Sequence, residues 1–340
     1  MISFRNDYAQ GAHPAVLDAL LRTNLESTPG YGEDCYCQKA AQMVQTRFAC
    51  PQADVHFLVG GTQTNFTAIS AFLRPWEAVI AADTGHIAVH ETGAVEARGH
   101  KVLTAPNANG KLTPDSIREV CAVHAAGNLG HMVLPKMVYI SDATELGTTY
   151  TKKELEALRE VCDQLGLYLY LDGARMGAAL TAEGNDLLPE DFPRLCDAFY
   201  IGGTKNGLLF GECLVIVNKA LQSNFRFALK QGGGMLAKGR LLGLQFQAIL
   251  EDDLWLKLAR HANLQAQRLQ AGILLSGCKL YIPSPTNQIF PIFSKEKLAQ
   301  LEQSFSFEFT AHIDESHDAI RLVTSWATEP NWVDAFLNAI

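Results

Sequence analysis

Between residues 53 and 217 the apolar positions fall into blocks. VHFLV (55–59), AVIAA (78–82), KVLTA (101–105), KMVYI (136–140), LYLYL (167–171), AFYIG (198–202) and CLVIV (213–217) are short runs, most of them nearly unbroken. Unbroken apolar runs predict strands covered on both faces, because a sheet with one wet face shows a polar residue at every second position. Helical spacing separates several of these runs. The clearest helix is KKELEALREVCDQLG (152–166), with Leu155, Leu158, Val161, Cys162 and Leu165 on one face and Gly166 as its stop. Such alternation predicts an α/β fold on a mainly parallel sheet sandwiched by helices.

Residues 251–277 read as a long helix leaving that domain. Beyond it the short strand candidates KLYIP, NQIFPIF, FEFTAHI and AIRLVT alternate with helical segments, the pattern of a smaller α+β unit. The expected division is a large domain over 1–250, including the N-terminal segment, and a small C-terminal domain over 251–340. The first fifty residues hold a helix-like HPAVLDALLRTN, the turn-rich ESTPGYGED and a second helical run after Tyr31.

Composition narrows the partners. The chain has 340 residues, 48% hydrophobic and 19% charged, with a net charge of −8. An acidic chain without a basic, aromatic-interleaved run is a poor match for nucleic acid. No apolar stretch approaches the roughly 20 residues that span a bilayer, and the opening residues show no secretory pattern. The expected location is the cytoplasm, with the eight scattered cysteines as reduced thiols. Cys35 and Cys37 form a C-x-C with no second close pair to complete a zinc site, so no metal is expected.

Four strand ends carry the candidate chemistry. LYLYLDGAR (167–175) ends an apolar strand in Asp172, with Arg175 three residues on. Ligands of open α/β sheets bind beyond the carboxyl ends of strands. An acid there can bind a metal, pair with Arg175, or keep a heterocyclic nitrogen protonated. The next strand runs into GGTKNG, which places Lys205 just past its end. A lysine desolvated beside glycines becomes a nucleophilic amine. A Schiff-base lysine facing an aspartate is the arrangement that pyridoxal phosphate needs.

VGGTQTNFTAIS (59–70) turns through Gly60 and Gly61 into a helix, whose first N–H groups, with Thr62 or Thr64, form a candidate phosphate cradle. It is neither G-x-G-x-x-G nor a Walker loop. DTGHIAVHETGA (83–94) brings His86 and His90 after another strand. His86, nearer the strand end, is the better candidate to stack on a ring; His90 reads as an unrelated histidine. Arg321, inside the apolar run AIRLVT, needs a partner, either a substrate carboxylate or an internal acid.

FRND (4–7), YGED (31–34), GGTQTN (60–65), the H-x4-E of His86 and Glu91, DGAR (172–175), TK (204–205), GGGM (232–235) and IRLVT (320–324) occur in an order that resembles the threonine aldolases, within the fold-type I pyridoxal-phosphate enzymes and their β-eliminating lyases. The resemblance covers nearly the whole chain. It implies that Lys205 carries pyridoxal 5′-phosphate, that Asp172 bonds the pyridine nitrogen and that His86 stacks on the ring. Gly61, Thr62 and Thr204 would hold the phosphate, and Arg175 and Arg321 would face the cofactor and the substrate carboxylate. Asn6 and Tyr31 would border the substrate. The implied activity is cleavage of a β-hydroxy-α-amino acid to glycine and an aldehyde. β-Elimination, transamination and non-catalytic cofactor binding are the alternatives. Fold-type I enzymes usually build their sites between subunits, so a homodimer or homotetramer is expected, with Tyr31 and the GGGM loop candidates to cross over.

Three positions depart from the family pattern. Glu145, in Thr144-Glu145-Leu146-Gly147, replaces the histidine of a T-H-N-G string; Leu236, with Lys238 two residues on, stands where arginine commonly follows GGGM; and Asn6 replaces a serine. Glu145 follows the strand KMVYI and so belongs to the same sheet end as Asp172 and Lys205. Either it takes the substrate's β-hydroxyl proton, a role for which His86 is the other candidate, or it is the partner of a histidine or arginine.

Overall fold

The computed structural model describes residues 1–126 and 130–340. Its centre is a seven-stranded sheet in the order Asp54–Leu58, Glu212–Ile216, Ala198–Gly202, Tyr168–Asp172, Leu134–Ser141, Glu77–Ala82, Val102–Ala105. Each of the seven apolar runs forms one of these strands, shifted by at most two residues at either end. All strands run parallel except Glu212–Ile216, which is antiparallel to both neighbours. Alternate residues feed two cores. Ile80, Val138, Ile140, Leu169, Leu171, Phe199 and Val215 pack on one face, whereas Val79, Met137, Tyr139, Tyr170, Tyr200 and Leu214 pack on the other. Burial on both faces is why these runs carry so few polar positions.

The helix read over 152–166 spans Lys152–Leu165, between a Thr151–Glu154 capping box and Gly166 at φ 65°. The long exit helix is Leu254–Leu275, shorter at its start than expected because Asp252 and Asp253 take left-handed backbone angles. Beyond it a four-stranded antiparallel sheet, in the order Glu308–His312, His317–Val323, Gln288–Ser294, Lys279–Ile282, packs around a third core. The N-terminal residues join that unit: Ile2–Ser3 pairs in parallel with Phe305–Ser306, and Phe4 lies in its core. No helix among the described residues is long and apolar enough to cross a membrane.

Candidate active site

The carboxyl ends of the parallel strands open into a cavity of about 520 Å³ whose walls include Asp172, Lys205, His86, Glu145 and Arg321. Asp172 is the last residue of its strand and is almost fully buried. Its Oδ2 accepts from the Tyr139 hydroxyl at 2.5 Å and from Asn65 Nδ2 at 3.0 Å, and its Oδ1 from the Ala174 N–H at 3.0 Å. Burial alone would raise this carboxyl, but the charge of His86 and the bonds from Tyr139, Tyr200 and Asn65 hold it below the usual range. It is therefore an anion at neutral pH. The turn that follows is close-fitting: a Cβ on Gly173 would lie 2.0 Å from the Tyr200 carbonyl oxygen, so glycine is required there.

Lys205 sits in the turn between Ala198–Gly202 and the reversed strand. Burial, then the charge of Arg175, lower its pKa, which favours the free amine. Across the cavity, helix Gly61–Phe72 starts at Gly60 with no side-chain cap, leaving its first N–H groups free. Gly61, Thr62 and Thr204 all border the cavity.

His86 opens the short helix His86–Val89. Its Nδ1 lies 2.7 Å from Glu91 Oε1, which also accepts from Asn65 Nδ2 at 2.7 Å. The chain His86–Glu91–Asn65–Asp172 thereby fixes imidazole and aspartate together. His90 also borders the cavity, its ring centroid 5.6 Å from that of His86. Glu145 Oε1 accepts from the His86 backbone N–H at 2.9 Å and from Ser141 Oγ at 2.7 Å. Its partners are thus a backbone amide and a hydroxyl, with no arginine or imidazole bonded to it among the described residues. Burial raises the pKa of Glu145 against those bonds.

Arg175 departs from expectation. Its Nε and Nη2 donate to Asp7 Oδ2 and Oδ1 at 2.7 and 3.0 Å, so its fork is already filled by an internal carboxylate, although it still borders the cavity. Arg321 is the freer guanidinium: Nη2 is 3.6 Å from Glu308 Oε2, and its buried Nε has no partner among the described residues. Asn6 does not border the cavity; its Oδ1 accepts from the Tyr8 N–H. Tyr31 lies apart too, on a smaller cavity of about 160 Å³ with Met235 and Arg226.

The sequence reading missed Asp7, Asn65, Tyr139 and Glu212. Glu212 was within reach of it. The nine residues 203–211 joining Ala198–Gly202 to the next strand are too few for a parallel crossover, so that strand reverses and its first residue returns to the same sheet end.

Residues 3–295 match the β-eliminating lyase family. A low specificity L-threonine aldolase from a Pseudomonas species is 33% identical over 96% of this chain and 93% of its own length. A Leishmania major threonine aldolase structure superposes with a TM-score of 0.97 at 47% identity, covering 99% of this chain and 98% of that one. A Thermus thermophilus aspartate aminotransferase shares the fold alone, with a TM-score of 0.74 at 15% identity, over 100% of this chain and 90% of its own. The chain belongs to the β-eliminating lyase family, among its threonine aldolases.

Proposed function

We propose that this protein cleaves L-threonine and related β-hydroxy-α-amino acids to glycine and an aldehyde, using pyridoxal 5′-phosphate. The observation that carries the reading is the meeting of a half-buried, amine-favouring Lys205 with a buried, ionised Asp172 in one cavity. These residues fit the cofactor. Asp172 suits a pyridinium nitrogen, and the uncapped helix start at Gly60, with Gly61, Thr62 and Thr204, suits its phosphate. Bound through Lys205, the cofactor supplies an electron sink for the pair released when a bond to the substrate Cα breaks.

The remaining roles fall to the chain's own groups. Arg321, whose buried Nε has no partner among the described residues, takes the substrate carboxylate and sets which Cα bond breaks. Arg175, held by Asp7, contributes its positive charge to the same wall. The His86 ring would stack on the cofactor, with its orientation fixed by Glu91. Glu145 accepts the β-hydroxyl proton; burial raises its basicity while the His86 N–H and Ser141 hydrogen bonds aim its carboxylate.

The active assembly is a homodimer or a pair of dimers. Supporting it are four exposed apolar side chains, Leu21, Leu25, Tyr31 and Phe227, on segments tied together by hydrogen bonds from Tyr31 N to Leu236 O and from Arg240 to the Thr23 and Glu26 carbonyls. Incubation of purified protein with threonine, allo-threonine and phenylserine tests the activity. Glycine with the matching aldehyde is expected; pyruvate-type keto acids with ammonia, or transamination products, would replace the reading with another reaction.

A further inference from the structure

The proposed reaction leaves one buried carboxylate in the cavity without a task. Glu212 is 4% exposed. Its Oε2 accepts from the Gly203 N–H at 3.1 Å, Thr204 bonds the same carboxyl, and among the described residues it has no ion-pair partner. It borders the cavity beside Gly60, Gly61, Thr62 and Thr204. The register Leu58↔Glu212 sets it one strand from the turn that starts helix Gly61–Phe72. An anionic carboxylate is the wrong charge for a phosphate cradle. A phosphate ester above pH ~6 is a dianion, and a dianion held in the cavity that a buried carboxylate also lines disfavours ionisation of that carboxylate.

We propose that Glu212 is the proton-carrying contact of the cofactor's phosphate: a neutral acid in the loaded enzyme, donating its O–H to a phosphate oxygen. Loading then takes one proton from solvent onto Glu212, with no other bond made or broken by this residue. The inference rests on the cofactor site proposed above.

The groups facing Glu212 allow this. Lys205 comes from the adjoining turn, Asp172 and Tyr170 from the next strand but one, and Tyr200 from the neighbouring strand. Strand Asp54–Leu58 brings Leu58, and the first turns of the helix bring the uncharged Thr62, Thr64 and Asn65. Burial pushes the Glu212 carboxyl up to about 7 against the bonds from Thr204 and Gly203 and the charge of Lys205. An arriving dianion raises it further. A group whose pKa rises on binding strengthens binding below its free value and weakens it as pH climbs through that value.

Pyridoxine 5′-phosphate, which has the phosphate but no aldehyde, isolates the effect from Schiff-base chemistry. Titrated into the full-length apoprotein and followed by tryptophan fluorescence, its Kd should rise about tenfold or more between pH ~7 and ~9. Glu212→Gln, which keeps the acceptor for Gly203, should hold Kd within about twofold over that range. A variant with the wild-type pH dependence overturns the proposal, because Lys205 would then be the titrating group. Should Glu212→Gln not fold, Lys205→Ala carries the test. Proton uptake on binding at pH ~8, measured calorimetrically in buffers of different ionisation enthalpy, stays near one if Glu212 is the acceptor and falls to zero if it was Lys205. Failure of both pyridoxal and pyridoxine phosphates to bind at any pH would reject the cofactor site itself, and this inference with it.

Discussion

At the scale of single residues the cavity separates two acids that sequence alone does not rank. Asp172 is buried and Glu145 half-buried at the same sheet end, yet their environments push them apart. Asp172 receives side-chain bonds from Tyr139, Tyr200 and Asn65 and one backbone N–H and stays ionised, whereas Glu145 is desolvated and shifted upward. Such divergence is how one site holds both a permanent anion and a proton carrier. Glu145→Gln keeps the shape and removes the base. Its kcat should fall by roughly 10²–10⁴-fold, the usual range for a lost general base, while cofactor absorbance is unchanged. Because desolvation raises the Glu145 pKa, the base is lost as pH falls, so the acidic limb of the kcat profile should vanish in the mutant. A Gln variant with near-normal kcat and the same limb would return the task to His86.

At the scale of elements, the Asp7–Arg175 pair joins three parts of the chain. Asp7 lies on the N-terminal segment, Arg175 follows a central strand, and Asn287 donates to Asp7 Oδ2 at 2.9 Å from just before strand Gln288–Ser294. Both charged partners are nearly buried, so Asp7→Asn strands a guanidinium in a dry setting. Breaking such a pair from one side costs about 3–5 kcal/mol, to be read from denaturant unfolding. Burial alone would raise the Asp7 carboxyl, but the charges of Arg175 and Lys205 outweigh it and hold its folded pKa below the ordinary value. The stabilisation is therefore complete above the unfolded value of about 3.9 and disappears as pH falls through the lower folded value. The gap between wild type and mutant should persist from about pH 7 to pH 5 and close only in stronger acid. A gap that closed near neutrality would contradict the pairing. Nothing in the sequence announced this contact, because it joins residues 168 positions apart. The central strands, by contrast, were legible because both faces are buried, and Lys205 and Asp172 because a strand's end is visible where its apolar run stops. Arg175 was read either as the partner of Asp172 or as facing the cofactor and substrate, whereas the carboxylate that fills its fork is Asp7. Asn65 and Glu91 could be quoted as parts of motifs, yet their shared hydrogen bonds depend on side-chain directions that spacing does not encode.

At the scale of the whole molecule, four of the exposed apolar residues, Leu21, Leu25, Tyr31 and Phe227, lie on segments bonded to one another around the GGGM segment. Leu25 is 95%, Phe227 77% and Leu21 76% exposed in the single chain, far from the burial such side chains normally find. Lys230 Nζ lies 4.7 Å from the Tyr31 ring centroid, and Arg226 Nη2 donates to Glu33 at 3.0 Å, so the segments around Tyr31 and Phe227 form one surface. Scattered apolar residues need no explanation, whereas a tied group of them marks a binding face. A face that meets its own copy across a two-fold axis uses every residue twice, so one charge introduced there is also doubled. Phe227→Asp should therefore fold as the wild type does, since an exposed side chain contributes little to the monomer's core, yet sediment as a single chain where the wild type sediments as a dimer or tetramer. Equilibrium sedimentation at micromolar concentration, beside circular dichroism for the fold, makes the comparison. A wild type that is already monomeric would remove the assembly altogether. A Phe227→Asp protein that stays dimeric would move the interface to another face of the molecule.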